Sequence, residues 1–512
     1  MAKQISIPEE IVEFFQKPGG RSLMVKGGAG TGKTTFALQM LEELAEPDKS
    51  FYLSTRVSDE ALYNQFPWLK EKEMRSRIID SSRILLEALY RPTEEEEVPK
   101  VPPEEEQRLE TAKEFLKAIS QERGPPTKVD RTRLTVLLEQ NRMPEIERIY
   151  ARIEHVLPDK ATLVIDSVEG ITHKYGIEME EFVMTIQKDL VENSNTNVVF
   201  VLEKPEAGGL EYLVDGLVTL SRGEIDRKRV RHVTLEKLRA TEIKQPYYLL
   251  TLRNGRFTSF TPYTPPPSQK EWNIQYDKEN YYSTGIPDMD RLLGGGFRKG
   301  SYNVFEIADN VGSEEYNSVL IPVMLNFLKQ ERGIIAVLPG GEHPESFKKE
   351  LTRYVSEELF NRFVRIADYF SATSSVPYVM PLAKPREEMI RTWKENEKAI
   401  RGILGKEGVE GKPIIEYTGF DALEYIQGDA PAIKSLFSGV ARIKVSKDIG
   451  IGLLKPGLKV TQEIINMADT YFKILDIDRT PCIYGIKPRT IIYAIVADEL
   501  LGTPNVKLIP IV

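Results

Sequence analysis

Gly27-Gly28-Ala29-Gly30-Thr31-Gly32-Lys33-Thr34 is the stretch on which the fold turns, and it matches the pattern G-x-x-x-x-G-K-[ST] in full. Before it stands the apolar run Ser22-Leu23-Met24-Val25-Lys26, which reads as a strand, and after it Lys33 to Leu44 reads as a helix. Strand, glycine-rich turn and helix in this order predict a phosphate-binding loop. The glycines let successive backbone N–H groups curl toward an anion, and the helix N-terminus adds its positive end. On this reading Gly27, Gly28, Ala29, Gly30, Thr31, Gly32, Lys33, Thr34 and Thr35 cradle a nucleotide's phosphates. Lys33 bridges the β- and γ-phosphate oxygens and the Thr34 hydroxyl ligates Mg2+. The competing explanation, a ligand-free glycine turn, is disfavoured because lysine, threonine and both flanking elements agree.

Outward from the loop, Pro8 to Gln16 has the spacing of an amphipathic helix, and Phe51-Tyr52-Leu53-Ser54-Thr55 supplies the second strand of a β-α-β unit. The parallel-sheet pattern resumes at 161–166, 197–202 and 216–220, with further strands at 230–235, 247–252 and 256–258. Residues 1–258 therefore form one α/β domain. Leu163-Val164-Ile165-Asp166-Ser167 is an apolar strand ending in a carboxylate, as needed to hold a magnesium ion's water shell opposite the loop; taken alone, Asp166 reads equally as a helix cap. Between these strands the chain turns charged and proline-rich, and is expected to form an exposed insertion near 91–135 with a solvated helix around Leu109 to Ile119. The proline-stiffened stretch 259–271 reads as a linker, with a second domain over 272–512.

Composition narrows the chemistry. Of 512 residues, 69 are basic and 77 acidic, for a net charge of −8, so the fold as a whole is no electrostatic glove for nucleic acid. Only a local patch, Arg222, Arg227, Lys228, Arg229 and Arg231, offers an anionic partner a footing, and a solvated turn explains it as well. The single cysteine, Cys482, excludes an intramolecular disulfide framework and cysteine-based metal sites. Apolar runs are too short to span a bilayer, which predicts a cytoplasmic protein with no membrane partner. Lys237 and Arg239 alternate on one face of a late strand, where two cations could neutralise γ-phosphate charge in cis or from a neighbouring subunit, or simply face solvent.

Taken in order, Gly27 to Thr34, Leu163 to Ser167, Glu211 to Gly216 and Lys237-Leu238-Arg239-Ala240-Thr241 resemble the RecA superfamily, specifically KaiC-like ATPases, and more narrowly the archaeal gas-vesicle regulator family. The second half resembles another copy: Ser283 to Phe297 is similar to the segment that leads into a KaiC-like phosphate loop. Where that loop should follow stands Ala308-Asp309-Asn310-Val311-Gly312-Ser313-Glu314-Glu315. Aligning Gly312 with Gly32 puts Ser313 at the lysine position and Glu314 at the hydroxyl position. Carboxylates repel a polyphosphate, and no lysine replaces the lost charge.

The resemblance thus implies an α/β chain of tandem RecA/KaiC-like P-loop domains, the second with a degenerate nucleotide loop. It implies ATP and Mg2+ as ligands, Lys33, Asp166, Lys237 and Arg239 as the catalytic set, and a homo-oligomer, dimer or ring. KaiC-like enzymes commonly carry a Glu-Glu pair after the second strand, where this chain has Thr55-Arg56; Asp59, Glu60 and Glu169 are the stand-ins, or else caps and surface carboxylates. Lys487-Pro488-Arg489 repeats the K-x-R spacing, either to complete the first site or as a retained structural strand. The expected function is a regulatory ATPase, a nucleotide-gated switch or assembly protein with slow Mg-ATP hydrolysis. The alternative is a non-hydrolysing, ATP-bound module that docks on a large partner such as a transcription regulator or ribosomal particle. A motor on DNA is disfavoured by the acidic charge.

Overall fold

Alternation along each apolar strand decides which layer covers which face. Met24 faces one cluster, with Phe51, Leu53, Leu163, Ile165 and Phe200, while Leu23 and Val25 face another, with Tyr52, Val164, Val199 and Val218. Strands buried on both faces need helices on both. The computed structural model supplies them; it describes residues 4–44, 46–70, 76–81, 84, 129, 131, 133–135, 143–206, 208–264, 273–402, 411–497 and 504–512. The chain divides into two compact units. One comprises Ile5–Gly223 and Arg231–Ser259; the other comprises Phe260–Val512 with Met1–Gln4 and Glu224–Val230.

In the first unit the elements run β1 (Gln4–Ile5), α1 (Glu9–Gln16), β2 (Ser22–Gly27), α2 (Lys33–Leu44), β3 (Ser50–Ser54), α3 (Asp59–Gln65) and β4 (Ile78–Asp80). They continue through α4 (Pro144–Val156), β5 (Thr162–Asp166), α5 (Val168–Tyr175), α6 (Met179–Ile186), β6 (Asn197–Val201), β7 (Gly216–Ile225), β8 (Lys228–Leu238), β9 (Tyr247–Thr251) and β10 (Thr258–Phe260). The ten-stranded sheet has the order β1-β10-β9-β8-β7-β2-β6-β5-β3-β4. From β7 to β4 neighbouring strands are parallel, with Gly27 beside Leu220 and Ser54, Asp166 and Val201 in one row. The C-terminal ends of β2, β6, β5 and β3 thus meet at one edge, the usual ligand edge of an open α/β sheet. One helical layer carries Phe14, Phe36 and Leu41, and the other Ile149, Tyr150 and Phe182.

The outlying expectations need revision. Most of the insertion, including its Leu109–Ile119 helix, lies outside the described residues. Val129 and Leu134 at its end are buried in the core, and Leu134 N donates to Asp189 Oδ2 at 3.0 Å, so this part is not a surface excursion. The last strand is Thr258–Phe260, with Ser259 and Phe260 fully buried. Those two residues are therefore strand and not linker, because both side chains find cover against the sheet.

The second unit runs β11 (Tyr281–Tyr282), α7 (Pro287–Leu292), β12 (Phe297–Arg298), β13 (Tyr302–Ile307), α8 (Ser313–Lys329), β14 (Gly333–Val337), α9 (Pro344–Leu351), α10 (Glu357–Phe363), β15 (Val364–Asp368) and β16 (Val379–Pro381). Then follow α11 (Arg386–Ile400), β17 (Ile414–Gly419), α12 (Phe420–Gln427), α13 (Asp429–Ser446), β18 (Ile449–Leu454), α14 (Thr461–Met467), β19 (Thr470–Ile477), β20 (Thr480–Lys487), β21 (Tyr493–Ala497) and β22 (Val506–Pro510). Its ten-stranded sheet is ordered β16-β15-β14-β17-β18-β13-β19-β20-β21-β22. Read from the strand that precedes each loop, the two orders correspond: β13 lies between β18 and β19 as β2 lies between β6 and β7.

Candidate nucleotide site

The loop after β2 takes the curled form expected of it. Gly27, Gly30 and Gly32 all have positive φ, at 150°, 71° and 106°. A Cβ on Gly27 would stand 2.2 Å from the Leu220 carbonyl oxygen, so space as well as backbone conformation requires glycine there; at Gly32 it would meet only the end of the Leu252 side chain at 2.9 Å, and the backbone conformation is what favours glycine. Lys33 opens α2 and folds back over the loop. Its Nζ donates to the carbonyls of Gly27 (2.7 Å), Gly28 (2.9 Å) and Glu203 (3.3 Å). Burial lowers the Lys33 pKa, against the opposing pull of Asp166, Glu169 and Glu203.

Asp166 ends β5 facing that loop. The Thr34 hydroxyl donates to its Oδ2 at 2.7 Å and the buried Tyr52 hydroxyl to the same oxygen at 2.5 Å. Burial raises the Asp166 pKa, while the hydrogen bonds from Tyr52 and Thr34 and the charge of Lys33 hold it down. A hydroxyl and a carboxylate at hydrogen-bond distance are hard oxygen donors of the kind that hold Mg2+ together with substrate phosphates, and the residues fit that ion.

Around this pair the structure gathers residues that spacing did not assign. Arg231, buried on β8, donates to the Gly30 carbonyl at 2.7 Å, and an Arg222 Nη1 lies 3.9 Å from where a Cβ on Gly30 would be. Of the basic patch, Arg231 is therefore tied to the phosphate loop and Arg222 stands beside it, while Arg222, Arg227 and Arg229 are exposed. Glu203, just beyond β6, accepts from Ser167 Oγ at 2.9 Å and pairs with Arg56. Glu169 accepts from the backbone N–H of Glu203 at 2.9 Å. Of the three proposed stand-in carboxylates, Glu169 is thus brought to the site. Asp59 and Glu60 instead occupy the first turn of α3.

Lys237 and Arg239 are not brought to the loop. Lys237 Nζ donates to the carbonyls of Glu211 (3.1 Å) and Val214 (2.6 Å), and Arg239 pairs with Asp215 at 2.9 Å. The reason is strand direction. After the turn at Asp226-Arg227, whose positive φ values suit a tight hairpin, β8 runs back beside β7 and ends near Gly216. Gly216 is four residues before Leu220, about 13 Å along the strand from the loop. Within one chain Lys237 and Arg239 thus stand away from the loop, each engaged with partners of its own. In the second unit Lys487 likewise donates to the carbonyls of Ile465 (2.8 Å) and Ala468 (3.5 Å), ahead of β19. In both units this lysine satisfies carbonyls left open by the turn before the neighbouring strand.

With this geometry in view, similarity to known proteins decides the family. A profile described as "GvpD gas vesicle protein, P-loop domain" matches residues 11–236, and one described as "GvpD basic region 2" matches 271–399. The chain belongs to the GvpD family. It is 25% identical to Protein GvpD2 of Halobacterium salinarum over 98% of this chain and 95% of that one. It is 26% identical to Protein GvpD1 of the same organism, over 72% of this chain and 63% of that one. The GvpD P-loop match contains Gly27 to Thr35, Asp166, Glu169, Glu203, Arg222 and Arg231, and stops just short of Lys237 and Arg239.

Within the GvpD basic-region match lies the loop that leads into α8. Gly312 caps α8, and its N–H donates to Glu315 Oε2 at 2.7 Å, so Glu315 closes the helix N-terminus from within. Register extends the comparison between units. Val25 pairs with Val201, and Asp166 with Val201; Phe305 pairs with Leu453, and Gly419 with Leu453. Gly419 therefore stands where the first unit has Asp166, and Lys455 where it has Glu203. A lysine does enter this site, contrary to the expectation from the loop alone, but from a different strand and already engaged. Lys455 Nζ donates to the Gly340 carbonyl at 2.7 Å and pairs with Asp421 at 3.2 Å. The adjoining cavity, about 520 Å3, is lined by Glu306 and Asp309 as well as Lys455, a poor setting for a polyphosphate. Among the described residues no helix is long and apolar enough to cross a membrane.

Proposed function

We propose that the chain is a nucleotide-gated regulatory ATPase: the first unit binds ATP with Mg2+ and hydrolyses it slowly, and the second is a KaiC-like copy that has lost nucleotide binding. The observation that carries this reading is the convergence of Lys33, Thr34 and Asp166 on one sheet edge, with the Thr34 hydroxyl 2.7 Å from Asp166. Thr34 and Asp166 would hold Mg2+, which shields phosphate charge when bound. Lys33 exchanges its loop carbonyls for phosphate oxygens, and Arg231 keeps the loop curled. The corresponding strand orders support descent of both units from one RecA-like fold. Loss of the lysine, hydroxyl and carboxylate positions to Ser313, Glu314 and Gly419 supports a silent second unit.

Membership of a family described as gas vesicle proteins supports a role in regulating gas vesicles. The partner in this reading is a protein such as a transcription regulator, or a ribonucleoprotein, met by a homo-oligomer in the cytoplasm whose presented surface depends on bound nucleotide. Phosphate release by the full chain tests the enzymatic part: slow Mg2+-dependent turnover that disappears in Lys33→Ala is expected, and turnover that survives that substitution would reject it.

A further inference from the structure

A RecA-like site without its glutamate pair still needs a group to take a proton from the attacking water. Beyond β6, the strand lying between the loop strand and the Asp166 strand, Glu203 is placed for that task. Its own carbonyl accepts from Lys33 Nζ at 3.3 Å, so its main chain touches the ammonium expected to meet the γ-phosphate. Its carboxylate is held on two sides: Ser167, next to Asp166, donates to Oε1 at 2.9 Å, and Arg56, beyond β3, pairs with Oε2. Its backbone is pinned as well, because the N–H groups of Glu203 and Lys204 donate to Glu169 Oε1 at 2.9 and 3.3 Å. Glu169 is committed to that support, and its Oε2 is buried without a hydrogen-bond partner. The Glu203 side chain is 35% exposed, so water reaches its carboxylate.

We propose that Glu203 is the carboxylate that accepts the proton of the attacking water, and that its ion pair with Arg56 holds it idle until a nucleoside triphosphate is bound. The proposal rests on the ATPase reading above. Arg56 is 60% exposed, so its pair with Glu203 lies in a high-dielectric setting where such pairs contribute little. A polyphosphate offers the guanidinium more charge and a matching fork of oxygens. Arg56 then moves to the phosphate and releases Glu203. The water oxygen bonds to the γ-phosphorus as the bond from that phosphorus to the β,γ-bridging oxygen breaks. ADP leaves with the bond's electron pair, and the water proton passes through Glu203 to solvent or phosphate.

The test compares wild type, Glu203→Gln, Arg56→Ala and Lys33→Ala in the full chain, by equilibrium ATP binding, steady-state turnover and the identity of nucleotide retained after incubation. Glu203→Gln is expected to bind ATP as wild type does, to retain it as ATP, and to lose turnover by about 100-fold or more. Its binding doubles as the check that it folds. Arg56→Ala is expected to weaken ATP binding and raise KM severalfold, with kcat changed far less than in Glu203→Gln, the reverse split. Wild-type turnover in Glu203→Gln, with Lys33→Ala inactive, would overturn the role of Glu203 and leave the ATPase reading standing. An Arg56→Ala chain that loses kcat at unchanged affinity would overturn the latch. Turnover that survives Lys33→Ala would remove the ATPase reading and this proposal together.

Discussion

At the scale of single residues the loop is over-determined, and its weak points are predictable. Gly32→Ala places a Cβ 2.9 Å from Leu252 on a backbone with φ of 106°, so we expect it to open the loop and abolish nucleotide binding while the thermal unfolding temperature falls only slightly. Arg231→Ala removes a charge-assisted hydrogen bond to Gly30, of the class worth about 1.5–3 kcal/mol. Equilibrium binding should show at least a tenfold weaker affinity for ATP; unchanged affinity would mean that the loop holds its shape without that bond. What the sequence made legible here was contiguous. Gly27 to Thr34 carries its chemistry in eight neighbouring positions, and Asp166 announces itself by ending an apolar strand. Glu203 and Arg231 gave no such signal, because they are 170 and 201 residues from their loop partners Lys33 and Gly30. Only strand order brings them there.

At the scale of elements, direction mattered more than identity. The K-x-R spacing puts two side chains at one strand end, but spacing cannot say which end of the sheet that is, and the reversal at Asp226-Arg227 puts Lys237 away from the phosphate-binding loop. In the second unit a different element junction bears load. Asp448, fully buried before β18, accepts from Arg401 at the end of α11 and from the Ile414 N–H at the start of β17. Asp448→Ala would leave Arg401 with Glu397 as its remaining carboxylate partner and the Ile414 N–H unpaired. Chemical denaturation should show a loss of about 1–3 kcal/mol.

Helix α9 carries a pH-sensitive contact as well. Burial, with the charges of Glu342 and Glu314 adding to it and Arg353 opposing, raises the Glu350 pKa to about 7. A carboxyl raised in the folded state favours folding while protonated. Its contribution is complete below the ordinary value of 4.5 and is lost as pH climbs through about 7. Unfolding temperature should therefore fall between pH 5 and 8, by at most about 3 kcal/mol in stability, and Glu350→Gln should flatten that slope. An equal slope in the variant would place the titration elsewhere.

On the scale of the whole chain, two sheets of corresponding strand order carry different side chains at corresponding places. The first unit retains Lys33, Thr34 and Asp166; the second carries Ser313, Glu314 and Gly419 at those places and fills the edge with an internal pair, Lys455 and Asp421. Because the missing carboxylate lies on a separate strand, Ser313→Lys with Glu314→Thr should not create a second nucleotide site. The strand order also explains why sequence could suggest a repeat yet miss Gly419: the loop is a local pattern, while that glycine corresponds to Asp166 only through register. The most direct measurement of this division is the number of nucleotides bound per chain, by titration of the purified full-length protein with a slowly hydrolysed ATP analogue and Mg2+. One per chain, reduced to none in Lys33→Ala, is the predicted result; two per chain, or one that persists in Lys33→Ala, would contradict it.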